Sequence, residues 1–291
     1  MPQLPDAAPA TDSVALSPRG FPLLLNAAFR LWWRSLPATL PLSLPIALLA
    51  QPQRVELPTL DALQSDPDLL IDWVAPLFQA HTWWLFAALS LAALWLHAAV
   101  VLRLAGQHRG AAVTLPAALW LALRRLPGFA VTVLLYGLLC ALPMLPMLGI
   151  MAWLGLQGLD LPALMLASVL ISLLFSLPVC WVAIRLMLAP YAAALDGDGP
   201  LASLRTASAA VAGSWWLAMA YVSMPLLAFL GVGFVAAAAP ALVALLPGAE
   251  ASSLALDWSL RALGVIGTAL VWPLLHASLV VLHAAAARRT V

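Results

Sequence analysis

The chain has 291 residues, 64% of them hydrophobic and 9% charged, against about 45–50% and about 25% in ordinary soluble domains. A water-soluble globular protein is excluded. A formal net charge of +1 gives no reason to expect a nucleic-acid partner, which would demand a concentrated basic face.

The opening segment, residues 1–19, is rich in proline, alanine and polar residues without periodicity and is expected to be a disordered cytoplasmic tail. Residues 20–287 then read as a membrane domain, with apolar stretches that approach or exceed the roughly 20 residues needed to cross hydrocarbon as a helix. These runs lack the alternation of a transmembrane barrel strand. The expected fold is therefore an all-α integral membrane protein with six transmembrane helices, at about 31–50, 83–103, 129–154, 162–188, 214–239 and 262–283.

The first span carries Pro37, Pro41 and Pro45 at helical spacing, each removing a backbone donor. It lacks the basic lead of a cleaved signal peptide and is expected to stay in the protein. The outer loop at about 51–82 contains "SDPDLLIDWVAPLF", with Asp66 as N-cap and Pro67 at the first helical position. This predicts a short helix on the outer leaflet, with solvated helix-end charges rather than a cation site at Asp61, Asp66, Asp68 and Asp72. The second span holds His97 and ends at Arg103. Before the third span lies "AALWLALRRLP" (117–127) with Arg124 and Arg125, an echo of "AAFRLWWRSLP" (27–37). Pro143 and Pro146 interrupt the third span, and Arg185 closes the fourth. Cys140 and Cys180 fall at different depths, which disfavours a disulfide.

"ALDGDGPLASLR" (194–205) invites two enzyme readings, and both fail. A calcium loop would need an acid where Ala207 stands, and a CDP-alcohol phosphotransferase pattern would need an arginine where Ser203 stands. The stretch fits a glycine-rich turn into a helix, with Asp198 as N-cap and Pro200 in the first turn. "ASLRTASAAVAG" (202–213), with Arg205, then precedes the fifth span, which carries Pro225. The sixth span holds His276, and residues 288–291 form a short C-terminus.

An even number of spans places both termini on one side. With that side cytoplasmic, eleven arginines face inward and only Arg54 and Arg261 outward, as the positive-inside rule requires of a bacterial cytoplasmic (inner) membrane protein. Tryptophan pairs at 32–33, 83–84 and 215–216 mark span starts at headgroup depth. The segments at 27–37, 117–127 and 202–213 each precede an inside-to-outside span. They therefore define a candidate threefold repeat of a cytoplasmic interfacial helix plus a helical hairpin, the alternative being that hairpins share basic interfacial segments without common ancestry.

Ionisable groups within a bilayer are costly and mark candidate sites. His97 and His276 fall at similar depth in spans of the same direction. The favoured reading is interhelical hydrogen bonding; the alternatives are proton or ligand contact, and haem ligation. Arg103 and Arg185 read first as interfacial anchors; with Arg124, Arg125 and Arg205 they are also candidate contacts for anionic lipid. All basic residues are arginine, which removes lysine chemistry. Neither HExxH, GxSxG, a P-loop nor CxxC occurs, so no catalytic residue, metal or cofactor is expected. Gly231, Gly233, Gly264 and Gly267 could allow close helix contacts within or between chains.

The stretch "RLMLAPYAAALDGDGPLASLRTASAAVAGSWW" resembles a recurring feature of uncharacterised bacterial inner-membrane proteins, similar to the membrane domain attached to some glycerophosphoryl diester phosphodiesterases. The resemblance runs loosely over residues 20–285. Its hydrolytic activity is not carried over, since the chain is expected to leave no room for the catalytic barrel and no catalytic residue maps here. What the resemblance implies is a stand-alone membrane module. The expected function is that of a non-catalytic inner-membrane protein acting through membrane lipids, a membrane-protein partner or a homo-oligomer, in envelope maintenance. The alternative is a transporter or lipid-handling protein with a cavity between helical repeats.

Overall fold

In the computed structural model, residues 20–49, 75, 80–157, 161–244 and 253–287 are described. The tail at 1–19, the C-terminus at 288–291 and most of the loop at 51–82, with its expected surface helix, lie outside them. The regular secondary structure of the described residues is entirely helical: α1 Phe21–Leu49, α2 Ala80–His108, α3 Leu115–Ala141, α4 Met144–Leu156, α5 Leu161–Leu186, α6 Ala189–Leu195, α7 Pro200–Val211, α8 Trp215–Ala244 and α9 Ser253–Ala287. Among the described residues, five stretches are long and apolar enough to cross a membrane: His81–His108, Leu115–Ala141, Ala163–Leu195, Trp215–Val235 and Arg261–Ala287.

The segment expected as a sixth span is α1, which is not among the five. Its mean hydropathy is lowered by Arg30 and Arg34, and further by Pro37, Pro41 and Pro45 and by Ser35, Thr39 and Ser43. Those hydroxyl residues are fully buried. They share an inward stripe with Leu24, Ala28, Leu31, Leu42 and Ile46, spaced three and four residues apart as one helical face requires. Each hydroxyl also bonds back along the helix, Ser35 Oγ to the Trp32 carbonyl at 2.9 Å, Thr39 Oγ1 to Ser35 at 3.1 Å and Ser43 Oγ to Thr39 at 3.1 Å. The polarity of α1 thus turns inward and satisfies itself.

Packing is uneven along the helices. α9 lies against α1, α8 and α2, while α2 continues onto α3. The fully buried residues concentrate in the C-terminal half of α2, the N-terminal half of α3, α6, the start of α8 and the C-terminal half of α9. These portions form one packed end, where α2, α3, α7 and α9 lie against the small and almost wholly buried α6. At the other end the helices present bare apolar surface, including Trp84, Phe86, Leu134, Leu138, Leu170, Leu174 and Phe234. α5 is the extreme case, for none of its most hydropathic window is buried.

Three local expectations are revised. The third span is divided at Leu142–Pro143, where α3 gives way to α4; Pro143 does not open a new direction by itself, since it remains in a right-handed helical conformation as the N-cap of α4. The segments at 27–37 and 117–127 are continuous with α1 and α3, whereas the third, α7, is a separate helix ended by Gly213 at φ +75°. The structural equivalence expected of the three units is therefore incomplete. Asp198 is not the N-cap of α7: that position is Gly199, followed by Pro200 at the first turn. The Asp198 backbone carbonyl instead accepts from Ser203 Oγ at 3.3 Å.

Candidate functional site

His97 on α2 and His276 on α9 are neighbours, their ring centroids 5.5 Å apart and inclined at 70°. Trp272, one turn before His276 on α9, stands edge-on to both, at 5.3 Å from His97 and 5.6 Å from His276. Phe229 of α8 backs Trp272 at 5.0 Å, and Tyr191 of α6 closes the cluster. Four helices thus meet at this point, which lies within the packed end of the bundle.

The hydrogen bonds fix the chemistry of each ring. His97 Nδ1 lies 2.6 Å from the Ala93 carbonyl of its own helix. A carbonyl only accepts, so Nδ1 carries the proton and Nε2 is left with a bare lone pair. His276 Nδ1 lies 2.6 Å from the Tyr191 hydroxyl. The phenol is the natural donor in that pair, which assigns the proton of neutral His276 to Nε2. His276 Nε2 and Trp272 Nε1 are both buried with no hydrogen-bond partner among the described residues. The cluster therefore offers two N–H donors and one imidazole acceptor in a desolvated setting where unpaired polar groups are expensive. Such an array can hold a buried water or a small hydrogen-bonding group.

His276 bridges α9 to α6, whereas His97 bonds within α2 and meets α9 only through ring contacts. The two imidazoles pack edge to face with the indole against both, which leaves no porphyrin-sized slot between them. Among the described residues no group of three or more His, Cys, Asp or Glu side chains is placed to hold a metal ion. Cys140 and Cys180 are free thiols.

The five arginines divide by partner. Arg103 Nη1 donates to the Ala38 carbonyl of α1. Arg125 Nη1 donates to the Ala194 carbonyl and, at 2.8 Å, to that of Leu195, so it caps the carbonyl end of α6, where helix-end charge favours a cation. Arg185 Nε donates to Ser208 Oγ of α7 at 2.8 Å, and its guanidinium lies over the Trp181 ring at 4.9 Å. Arg124 is exposed and lies over Trp120 at 5.8 Å. Arg205 is exposed on α7. Three of the candidate lipid contacts, Arg103, Arg125 and Arg185, are thus engaged in tying helices together.

Sequence reasoning missed Tyr191, and it missed a second link between α6 and α9: His283 Nε2 lies 3.0 Å from Asp196 Oδ2. A signal for the latter was present, because His283 follows His276 by seven residues and so shares its helical face.

Two lateral apolar grooves lie beside prolines that sequence reading had singled out. One, of about 360 Å³, runs between α1, α8 and α9 and is lined by Met224, Pro225 and Leu274 among others. The second, of about 320 Å³, lies where Leu142 and Pro143 face Trp181 and Arg185. Neither is lined by His97 or His276.

Fold and site together define an all-helical protein with several segments suited to a bilayer and a buried aromatic and histidine cluster. No protein-family model matches the chain, and comparisons with curated proteins and with solved structures find no match either.

Proposed function

We propose that this chain is a non-catalytic, multi-pass protein of the bacterial cytoplasmic membrane, acting in envelope maintenance through contacts with lipids and membrane-protein partners. In this reading α1 supplies the sixth crossing and both termini are cytoplasmic. The observation that carries it is the apolar surface of α5, whose most hydropathic window holds no fully buried residue. A helix that is hydrophobic all round belongs in lipid or against another apolar surface. The inward polarity of α1 supports the sixth crossing, since its outward side carries Leu44, Leu48 and Leu49. The arginine-bearing packed end accords with a cytoplasmic placement. The three-unit ancestry and the kinship with phosphodiesterase membrane domains rest on the sequence patterns at 27–37, 117–127 and 185–216.

Native mass spectrometry after gentle detergent extraction tests the reading. Retained phospholipid or a copurifying membrane protein is expected; a bare chain with neither contradicts it. The grooves beside Pro143 and Pro225 favour a second reading, a lipid-handling protein. That version requires reconstituted protein to speed phospholipid exchange between leaflets above the rate in protein-free vesicles, and it fails if the rates are equal.

A further inference from the structure

We propose that the groove between the α3–α4 junction and the last turns of α5 binds one anionic phospholipid, with Arg185 on its phosphate. The inference rests on the reading of the chain as a bilayer protein with lipid contacts, and it names the lipid class and the site.

The groove is about 320 Å³ and is lined by Leu139, Leu142 and Pro143 on one side and Trp181, Val182 and Arg185 on the other. Apart from Arg185, these side chains offer apolar surface, and they lie where the packed end gives way to bare helix. Leu138, Leu142 and Leu177 continue that surface outward at 61%, 56% and 68% exposure. A free inorganic anion would gain nothing from such walls. An acyl chain matches such walls in shape and polarity.

Arg185 supplies the complementary charge in a fixed position. Its Nε is anchored by Ser208 Oγ and its planar face rests on Trp181. Its two Nη groups donate to no described residue, and a guanidinium with both Nη groups available can take a phosphate in bidentate geometry. Arg205 precedes Ser208 by three residues on α7, about one turn, and adds positive charge on the same helix face. Arg103 and Arg125 each commit an Nη to a backbone carbonyl instead. Arg124 stacks on exposed Trp120, away from this groove lining.

The test uses the full chain, delipidated in detergent and titrated with phosphatidylglycerol or phosphatidylcholine under native mass spectrometry. Phosphatidylglycerol is expected to be retained in preference. Arg185→Gln is expected to lower its retention about tenfold, the scale of losing a charged hydrogen bond, while Arg124→Gln stays within about twofold. Leu142→Trp fills the groove from an exposed position, and the same loss is expected. This second variant decides the matter if Arg185→Gln fails to fold. Inorganic phosphate at millimolar concentration is expected not to displace the lipid. The proposal is overturned if both variants retain phosphatidylglycerol as the native chain does, or if phosphate displaces it. Should the native chain hold neither lipid nor partner, the broader functional reading falls as well.

Discussion

The link between Tyr191 and His276 illustrates how little of a buried polar contact is written in its local sequence. The matching "LHA" steps at 96–98 and 275–277 place both histidines at similar depth, and the structure brings their rings together. The third partner is illegible from spacing, because Tyr191 lies 85 positions from His276 in a short alanine-rich helix with no periodic cue. The same limit explains Arg125, whose carbonyl partners lie 69 and 70 positions away. If the phenol–imidazole bond is integral to the packed end, Tyr191→Phe is expected to lower stability by about 1–3 kcal/mol through the orphaned imidazole nitrogen. His276→Ala is expected to cost about 2–5 kcal/mol through the cavity and the stranded hydroxyl. The double variant is expected to cost less than their sum by at least about 0.5 kcal/mol. Thermal unfolding in detergent measures all three, and strict additivity would show that the two groups do not interact.

Between neighbouring helices, side-chain size sets how closely the backbones approach. Gly106, near the end of α2, is crowded by the turn that follows: a Cβ there would meet Val113 Cγ2 at 2.5 Å and the Ala111 carbonyl oxygen at 2.6 Å. Gly267 of α9 faces α8, where a Cβ would meet Val232 Cγ1 at 2.6 Å. Gly128, inside α3, has nothing within 4 Å. Gly106→Ala is therefore expected to destabilise by about 1–3 kcal/mol, since a backbone carbonyl yields poorly. Gly267→Ala is expected to cost less, because a valine side chain can shift, and Gly128→Ala to be neutral or to stabilise by up to about 1 kcal/mol. Melting temperatures in one detergent would rank the three; equal losses at Gly106 and Gly128 would contradict the close approach. Besides Gly264, the sequence marked three glycines, Gly231, Gly233 and Gly267, as small-residue positions but could not say which of them meets a helix. Of these three, the first two have open space where a Cβ would lie.

Across the whole molecule, helix and apolarity were legible because continuous hydrophobic runs leave the backbone no other way to satisfy itself in lipid. The hydropathy of α1 falls below that of the five long apolar stretches because Arg34, the prolines and the hydroxyl residues lower its average, although Ser35, Thr39 and Ser43 are buried. Packing partners were illegible for the converse reason. α5 is apolar on every side, so no face announces itself as the one to bury, and the structure buries almost none of it. The resulting division, an arginine-bearing packed end and a bare apolar end, is the basis of the functional proposal. Its most direct test is the accessibility of single thiols in a chain carrying Cys140→Ala and Cys180→Ala. Arg109→Cys and Gly199→Cys probe exposed turns at the packed end, and Gln157→Cys probes the exposed turn between α4 and α5. In oriented membrane vesicles treated with an impermeant maleimide, positions 109 and 199 are predicted to label from the cytoplasmic face and position 157 from the opposite face. Labelling of 109 and 199 from different faces would contradict the account.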